Sequence, residues 1–369
     1  MKIQYVDQDP RSVREFPVEN EHNLSPQDVT DIAEIFQTPL SGAYNWDYTL
    51  QDNRIKKLYE LGKELNWNAE KDIDWSRPMP PPIENCEDLP GHWLWVDYPE
   101  YQKFSDAEKH QFARHRMVWS LSQFLHGEQG ALLVASQLVS CAPTYNAKLY
   151  AASQTFDEAR HVEVFNKYIQ DRYGLMYPIG QALKSIVDKI LTDERWDLKF
   201  IGMQIIIEGL ALAAFASMRE SARDSVLADV LGLVLRDEAR HVTFGVNYLE
   251  DYVQDALTQD EREDRAEFAY EACQLARERM LSVDVFAHFG WDVEAARRFQ
   301  LEKGMMQHFQ SLLFGRVMPN LKRIGLLTDR IAPKFEQLGI LEYADMPDDG
   351  VIDWADLSRP LYNAEGELA

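Results

Sequence analysis

Asp157-Glu-Ala-Arg-His-Val162 decides the fold of this chain, because the same six residues return, letter for letter, as Asp237-Glu-Ala-Arg-His-Val242. Within each copy a glutamate and a histidine stand at positions i and i+3, which places both side chains on one face of a helix, one turn apart. One metal ion can then contact both side chains. A lone Glu-x-x-His is usually a solvated helix face, but the duplication favours a metal-binding motif here.

A further glutamate precedes each copy at the same distance. Glu128 lies 30 residues before the glutamate of the first copy, and Glu208 lies 30 residues before that of the second. Each interval accommodates two helical arms of about 20 Å at 1.5 Å per residue. Pro143 stands at the first midpoint, and Asp224, a good helix N-cap, follows the second. The spacing therefore predicts four helices that bring their ligands to one height in a bundle core.

The donor set predicts a pair of metal ions. Glu208 lies in the apolar stretch 205–212, where an isolated carboxylate would be costly to desolvate. Two divalent cations balance four glutamates, and carboxylates with one imidazole per ion suit iron or manganese better than structural zinc. The predicted ligands are Glu128, Glu158, His161, Glu208, Glu238 and His241.

Helical periodicity dominates the chain after the first hundred residues, and few stretches alternate at period two, so the predicted fold class is all-α. We expect an irregular segment at 1–104 with short helices at 26–37 and 48–65, the bundle at 105–256, and C-terminal helices with an acidic tail at 257–369. Trp67, Trp75, Trp93 and Trp95 are expected to pin the first segment to the bundle. The predicted helices are 106–141, 144–172, 179–192, 195–222, 225–255, 260–283 and 293–316, with one short helix after Thr328.

Composition narrows the possible partners and location. Lys and Arg number 38 against 61 Asp and Glu, a formal charge of −23, which repels nucleic acid and anionic lipid. Three scattered cysteines, Cys86, Cys141 and Cys273, favour a reducing compartment. Residues 1–14 are polar, and the apolar stretch 205–216 is too short to span a membrane. We therefore expect a cytoplasmic protein with no nucleic-acid or membrane partner.

With these ligands the sequence resembles the ferritin-like di-iron carboxylate proteins, in which two helices supply one Glu each and two supply Glu-x-x-His. The resemblance covers about residues 105–255. The all-glutamate set is similar to soluble monooxygenase hydroxylases, acyl-carrier-protein desaturases and aminobenzoate N-oxygenases, and Gly127-Glu-Gln-Gly-Ala131 is similar to the monooxygenase hydroxylases. The resemblance implies a ferritin-like four-helix bundle with additional terminal helices and two iron ions, with a manganese–iron pair left open.

The resemblance also implies a function. The expected activity is oxidation of a largely apolar organic molecule with O2, by hydroxylation or N-oxygenation, with electrons from a separate reductase or ferredoxin and a homodimeric assembly. Desaturation and C–C cleavage stay open, as do iron storage by a ferroxidase and a purely structural metal site. A radical-generating subunit like that of ribonucleotide reductase is disfavoured, because Phe165 stands where that family carries tyrosine and Glu128 where it usually carries aspartate. Ala211 and Leu212 follow the third glutamate where hydroxylases tend to carry threonine.

In relatives, the aspartate before each motif glutamate accepts a hydrogen bond from the histidine of the opposite motif, and the motif arginine pairs with the aspartate. The alternative is salt bridging on the helix surface. The implied pairs are Asp237 with His161 and Asp157 with His241, with Arg160 and Arg240 beside them.

Residues one helical turn from the ligands are expected to line a substrate cavity. Gln154 and Gln204 would supply hydrogen bonds to a largely apolar molecule; the simpler alternative is that each side chain only fills the core. The candidates are Phe124, Leu132, Gln154, Phe165, Gln204, Ala211, Leu212 and Val234.

Overall fold

The computed structural model describes residues 14–15, 34–49, 52–303 and 305–351. Within these residues the predicted all-α class is confirmed, and the strands are a single antiparallel pair, β1 (Arg14–Glu15) and β2 (Leu175–Met176). In chain order the helices are α1 (Asn53–Glu64), α2 (His92–Trp95), α3 (Pro99–Gln102), α4 (Asp106–Cys141), α5 (Tyr145–Arg172), α6 (Gln181–Thr192), α7 (Trp196–Ser221), α8 (Ser225–Asp251), α9 (Gln259–Glu278), α10 (Val283–His288), α11 (Val293–Glu302), α12 (Met305–Arg323) and α13 (Ala332–Gln337).

Local capping explains where the bundle helices begin. Ser105 and Glu108 form a capping box at the start of α4, in which each side chain binds the other's backbone N–H. The side chain of Thr144 caps α5, and that of Asp224 caps α8, as predicted. Helices α4 and α5 pack along each other, α7 packs against α8, and α5 contacts α8, which closes the four-helix bundle.

Several predicted helices differ from those observed. The predicted helix 293–316 is two helices, α11 and α12, because α11 ends at Glu302 with Lys303 as its C-cap, and a glycine follows in the sequence. The predicted helix 260–283 ends at Glu278, and α10 follows separately. Helix α1 begins only at Asn53, because Asp52 accepts hydrogen bonds from the first free N–H groups. Of the predicted helix 26–37, residues 34–37 are not helical, and residues 26–33 lie outside the described residues.

A π-helical segment, Ile201–Ile207, interrupts α7 directly before Glu208. The Glu208 N–H donates to the carbonyl of Met203, five residues back, instead of four. The sequence predicted a regular helix here. Because a π turn holds one extra residue, it rotates the following side chains relative to a regular helix, and such turns occur frequently at functional sites.

Helix α7 is longer and more apolar than the stretch 205–216 indicated. It has 26 residues with a mean hydropathy of 1.8 over its most apolar window, enough by length and composition to cross a membrane. However, 83% of that window is buried inside the protein. Helices α8, α9 and α12 pack on this apolar surface, so α7 is the core helix of the bundle.

The segment before the bundle packs on it through part of its tryptophan set. Trp67 is buried among residues of α5 and α8, and Trp95 lies in a second cluster with Phe112 and Phe286. Trp93 is less buried, with 54% of its surface exposed. The boundaries of the three predicted parts of the chain stay a prediction.

The close approach of α7 and α8 can be tested at Gly245. A Cβ atom added there would lie 2.6 Å from Cβ of Gln204. That distance is too short for a real contact, so one of the two helices would have to shift. We expect Gly245→Ala to lower the free energy of unfolding by about 1–3 kcal/mol through overpacking, as measured by denaturant titration. In the control, Gly127→Ala, the added Cβ meets nothing within 4 Å, and helix propensity predicts a gain of about 0.5–1 kcal/mol. Equal stability of the two variants would contradict this packing.

Candidate metal centre

The six predicted ligands meet at the centre of the bundle. They are Glu128 on α4, Glu158 and His161 on α5, Glu208 on α7, and Glu238 and His241 on α8, each at most 5% exposed. Their donor atoms form two groups, each with one donor atom per residue and all atoms within 4.8 Å of one another. The first group is Glu128, Glu158, His161 and Glu238, and the second is Glu158, Glu208 and His241. Glu158 belongs to both groups, so its two oxygens can reach two adjacent ions.

Both histidines turn Nδ1 toward this centre. Nδ1 of His161 lies 3.0 Å from Oε2 of Glu128 and 3.1 Å from Oε1 of Glu238. Nδ1 of His241 lies 3.1 Å from Oε1 of Glu158 and 3.7 Å from Oε2 of Glu238. Nδ1 is therefore the nitrogen that each imidazole offers to a metal.

The opposite nitrogen of each ring contacts the aspartate of the other motif copy. Nε2 of His161 lies 3.2 Å from Asp237, and Nε2 of His241 lies 3.2 Å from Asp157. These are the pairs that the family resemblance implied. A carboxylate in this position holds the ring orientation and places the remaining proton on Nε2.

The motif arginines cross-link the same two aspartates. Arg160 Nη2 lies 2.5 Å from Asp157 and 3.0 Å from Asp237, and Arg240 Nη2 lies 2.6 Å from Asp237 and 2.9 Å from Asp157. Each arginine thus pairs both within its own copy and across to the other. Because all four residues are at most 4% exposed, a helix-surface salt bridge does not describe this network.

Trp67 joins this network, which sequence reasoning missed. Its indole Nε1 donates to Oδ2 of Asp237 at 2.7 Å, and the guanidinium of Arg160 stacks over its ring at 4.9 Å. Arg160 also donates to the side chain of Asn66. The hydrogen bond between Trp67 and Asp237 joins residues 170 positions apart, and no local sequence signal connects them.

Tyr150 was also missed. Its hydroxyl is buried and has no hydrogen-bond partner among the described residues. It lies close enough to His241 and Glu208 to interact electrostatically with both. Its spacing of eight residues, or about two turns, before Glu158 on α5 could have indicated this position.

Gln154 and Gln204 lie beside the ligands instead of in an open cavity. Gln154 Nε2 donates to Oε1 of Glu208 at 2.8 Å and to Oε1 of Glu158 at 3.3 Å. Gln204 in turn donates to Oε1 of Gln154 at 3.4 Å. Both amides are fully buried, so in this structure Gln154 orients the two carboxylates and Gln204 holds Gln154 in place.

A cavity of about 530 Å³ lies along α4 and α7 and is lined by Phe124, one turn before Glu128, and by Leu210. The other seven candidate pocket residues do not line this cavity. Besides the two glutamines, Phe165, Ala211, Leu212 and Val234 fill the apolar core, and Leu132 is half-buried.

Crowding of the carboxylates dominates the electrostatics. Burial and the neighbouring Glu238 raise the pKa of Glu128 and of Glu208 well above the ordinary value. Burial also opposes the ionisation of Glu158, but the two ligand histidines outweigh it and lower the pKa of Glu158. The centre therefore requires positive charge before all four glutamates can ionise together.

The histidines supply part of that charge when no metal is bound. Burial opposes protonation of both rings, but hydrogen bonds from His161 to Asp237 and Glu128 raise the pKa of His161 well above its ordinary value. The charge of Glu158 and the hydrogen bond to Asp157 do the same for His241. In the absence of metal, protons on the two histidines therefore supply the positive charge that metal ions would otherwise supply.

Buried polar atoms without hydrogen-bond partners also indicate that the centre binds cations. Four buried atoms of the centre have no hydrogen-bond partner among the described residues, although buried polar atoms normally have one. A metal ion would satisfy them, and the mixed carboxylate–imidazole set matches two divalent cations such as iron. The cluster thus fits a dinuclear site. The atoms are Oε2 of Glu158, Oε2 of Glu208, Oε2 of Glu238 and Nδ1 of His241.

Metal content tests the ligand set. We expect about two ions per chain in the unchanged protein. Glu158→Ala should remove both, because Glu158 belongs to both donor groups, whereas His241→Ala should weaken mainly one. Elemental analysis measures the loss, and Glu163→Ala, an exposed position on the same helix, is the matched control. Full occupancy in Glu158→Ala would refute the assignment.

Metal removal should make stability depend on pH. Groups whose pKa is raised on folding stabilise the protein below their unfolded pKa, about 6.5 for histidine, and lose that contribution as pH rises through the folded pKa. His161, His241, Glu128 and Glu208 all have raised pKa values. The melting temperature of the chelated protein should therefore fall as pH rises above about 6.5, while bound metal keeps it higher by linkage. Equal melting temperatures of the two forms at pH 8 in calorimetry would count against this.

Comparison with known proteins places the chain in a family. The family model described as p-aminobenzoate N-oxygenase AurF matches residues 49–325, or 277 of the 369 residues, and this range includes all six predicted ligands. No curated protein matches the chain significantly.

Among solved structures, the chain is similar to an R2-like ligand-binding oxidase with an aerobically reconstituted Mn/Fe cofactor. The two are 17% identical, with 72% of this chain and 93% of that chain covered and a TM-score of 0.42. A single-residue variant of such an oxidase with an anaerobically reconstituted Mn/Fe cofactor is 18% identical, with 71% and 94% covered and a TM-score of 0.44. The family match, which spans three quarters of the chain, is the decisive finding. The chain therefore belongs to the p-aminobenzoate N-oxygenase AurF family, O2-dependent oxidoreductases of the ferritin-like di-iron carboxylate superfamily.

Proposed function

We propose that the protein uses O2 and two iron ions to oxidise the amine nitrogen of an organic substrate. The observation that carries the proposal is the buried double donor group that shares Glu158. Sequence analysis left hydroxylation and N-oxygenation as the two main possibilities, and the activity in the family's name favours N-oxygenation. A manganese–iron pair, which the sequence also leaves open, is the alternative metal composition.

The two donor groups suggest how the ions are shared. Glu128 and His161 would hold one ion, and Glu208 and His241 the other. Glu158 and Glu238 lie between them, with contacts to both histidines. Bound iron would supply the redox chemistry that reduces O2, which amino-acid side chains lack.

The chain's own residues hold this centre in one geometry. Asp237 and Asp157 each accept the Nε2 proton of one ligand histidine, which leaves Nδ1 free to face the centre. Gln154 orients the carboxylates of Glu158 and Glu208 by donating to both. Burial of all ligands excludes bulk water, which strengthens every electrostatic interaction in the site.

The reaction needs an electron donor, which we propose to be a separate reductase or ferredoxin. Conversion of an amine R–NH2 to R–NHOH consumes one O2, two electrons and two protons, and releases one water. The formal charge of −23 suits a donor that presents a basic face. Homodimerisation and a cytoplasmic location are also proposed, the latter supported by three free cysteines.

The competing functions have weaker support. For a tyrosyl-radical subunit, the position one turn after His161 would need a tyrosine, but it holds Phe165, buried in the core. Tyr168, one turn further on, donates its hydroxyl to Asp224. A ferroxidase needs no organic-substrate cavity, whereas this chain has a cavity of about 530 Å³ that is lined by Phe124, one turn before Glu128.

Turnover under 18O2 tests the proposal. The metal-loaded protein, supplied with a ferredoxin–reductase system and p-aminobenzoate or other aryl amines, should yield a hydroxylamine or nitro product that contains 18O, detected by mass spectrometry. Glu238→Ala should abolish the product, whereas Glu163→Ala, an exposed control, should retain it. Iron mineral formation without any organic product would favour a ferroxidase, and no reaction with both metals bound would favour a structural role.

A further inference from the structure

The cavity along α4 and α7 does not open onto the metal centre. Among the described residues that line it, none is one of the six predicted ligands. The lining residues nearest to a ligand along these two helices are Leu210, two residues after Glu208, and Phe124, four residues before Glu128. A substrate held in this cavity is therefore separated from the ions at which it would be oxidised.

Phe124 is the lining residue that stands one helical turn from a ligand on that ligand's own face. Because it precedes Glu128 by four residues, the two side chains lie on the same side of α4. Leu210 follows Glu208 by two residues, which is about 200° around α7, so it faces away from the metals. Of the two, only Phe124 extends from the cavity toward the metal-binding side of its helix.

Aromatic contacts hold the Phe124 ring in this position. The ring packs edge to face on Phe215 of α7, with centroids 4.8 Å apart, and its centroid lies 6.1 Å from that of Phe165 on α5. Phe165 follows the ligand His161 by one turn. Both partner rings are fully buried, and neither lines the cavity. Phe124 therefore bridges α4 and α7 between the cavity and the layer of side chains next to the metals.

Of these three rings, Phe124 is the one that has room to move. It is half-buried, whereas its two partners are fully buried. The cavity of about 530 Å³ adjoins it. Open space also lies beside Gly127, three residues further along α4, because a Cβ added there would meet no atom within 4 Å. Rotation of this one side chain can therefore open a passage without a shift of either helix.

We propose that Phe124 is a gate between the cavity and the metal centre, and that its ring must rotate before a molecule in the cavity can reach the ions. The inference rests on the proposed oxygenase function and extends it, because it names the residue that controls access to the centre. Groups that cover an active site in this way exclude water, and their opening sets the rates of entry and exit. Because every molecule that enters from the cavity passes this ring, the size of the side chain should change both rates equally.

Azide binding tests the gate without turnover. Azide is a small anion that coordinates oxidised iron and changes its absorbance, so stopped-flow spectroscopy of the oxidised, metal-loaded protein gives the association and dissociation rates. We expect Phe124→Ala to raise both rates about tenfold and Phe124→Trp to lower both by a similar factor. The dissociation constant should change by less than about twofold, because a gate has no differential affinity for the bound state.

Met117→Ala is the matched control for cavity volume. Met117 lines the same cavity two turns before Phe124, so its truncation enlarges the cavity without removing the ring, and both azide rates should stay unchanged. Phe124→Leu, which keeps an apolar side chain at the gate position, should raise both rates by less than Phe124→Ala and replaces that variant if it loses metal. Circular dichroism and metal analysis establish that each variant is folded and loaded.

Identical azide rates in the unchanged protein and in the Phe124 variants would overturn the inference. Equal acceleration by Met117→Ala would overturn it as well, because cavity volume would then control entry. A changed dissociation constant with an unchanged association rate would also reject the gate, since Phe124 would then act on the neighbouring ligand Glu128. Because azide binding needs neither reductant nor substrate, failure to oxidise an amine would count against the proposed function and leave this result standing.

Discussion

Four carboxylates and two imidazoles share one buried volume at the centre of four helices, and the need to balance their charge constrains the rest of the protein. In a medium that excludes water, four negative charges within a few ångströms of one another are strongly unfavourable. Two divalent cations, or protons on the histidines, relieve the repulsion. Helices α4, α5, α7 and α8 must therefore all bring their ligands to the same height, which accounts for their length and for turns near the midpoints of both ligand intervals.

A second buried layer, of aspartates and arginines, holds the imidazoles in place. Asp157 and Asp237 each bind both Arg160 and Arg240, as well as one ligand histidine. The two copies of the sequence repeat thus form one crossed network instead of two separate motifs. The hydrogen bond from Trp67 to Asp237 extends the network to the segment before the bundle. That segment therefore contributes to the geometry of the centre.

Helices α4 and α7 connect the metal centre to the cavity. Each carries one of the single glutamates, Glu128 or Glu208, and each lines the cavity within one turn of that ligand, through Phe124 or Leu210. The π-helical segment ends where Glu208 begins, so the winding of α7 in that segment sets the direction in which the Glu208 carboxylate points. A shift of α7 would therefore affect the metals and the cavity together.

The sequence by itself predicted the six residues that meet at the bundle centre, the all-α class and the approximate bounds of the bundle helices, because each prediction rests on local rules. The spacing of Glu158 and His161 and the capping side chain of Asp224 depend only on residues within one or two turns. Only the tertiary structure decided the bond between Trp67 and Asp237, the π turn in α7 and the meeting of Arg279 with the cavity wall of α4. Periodicity reports which face of a helix is apolar, but the partner that covers that face depends on packing between segments far apart in the chain.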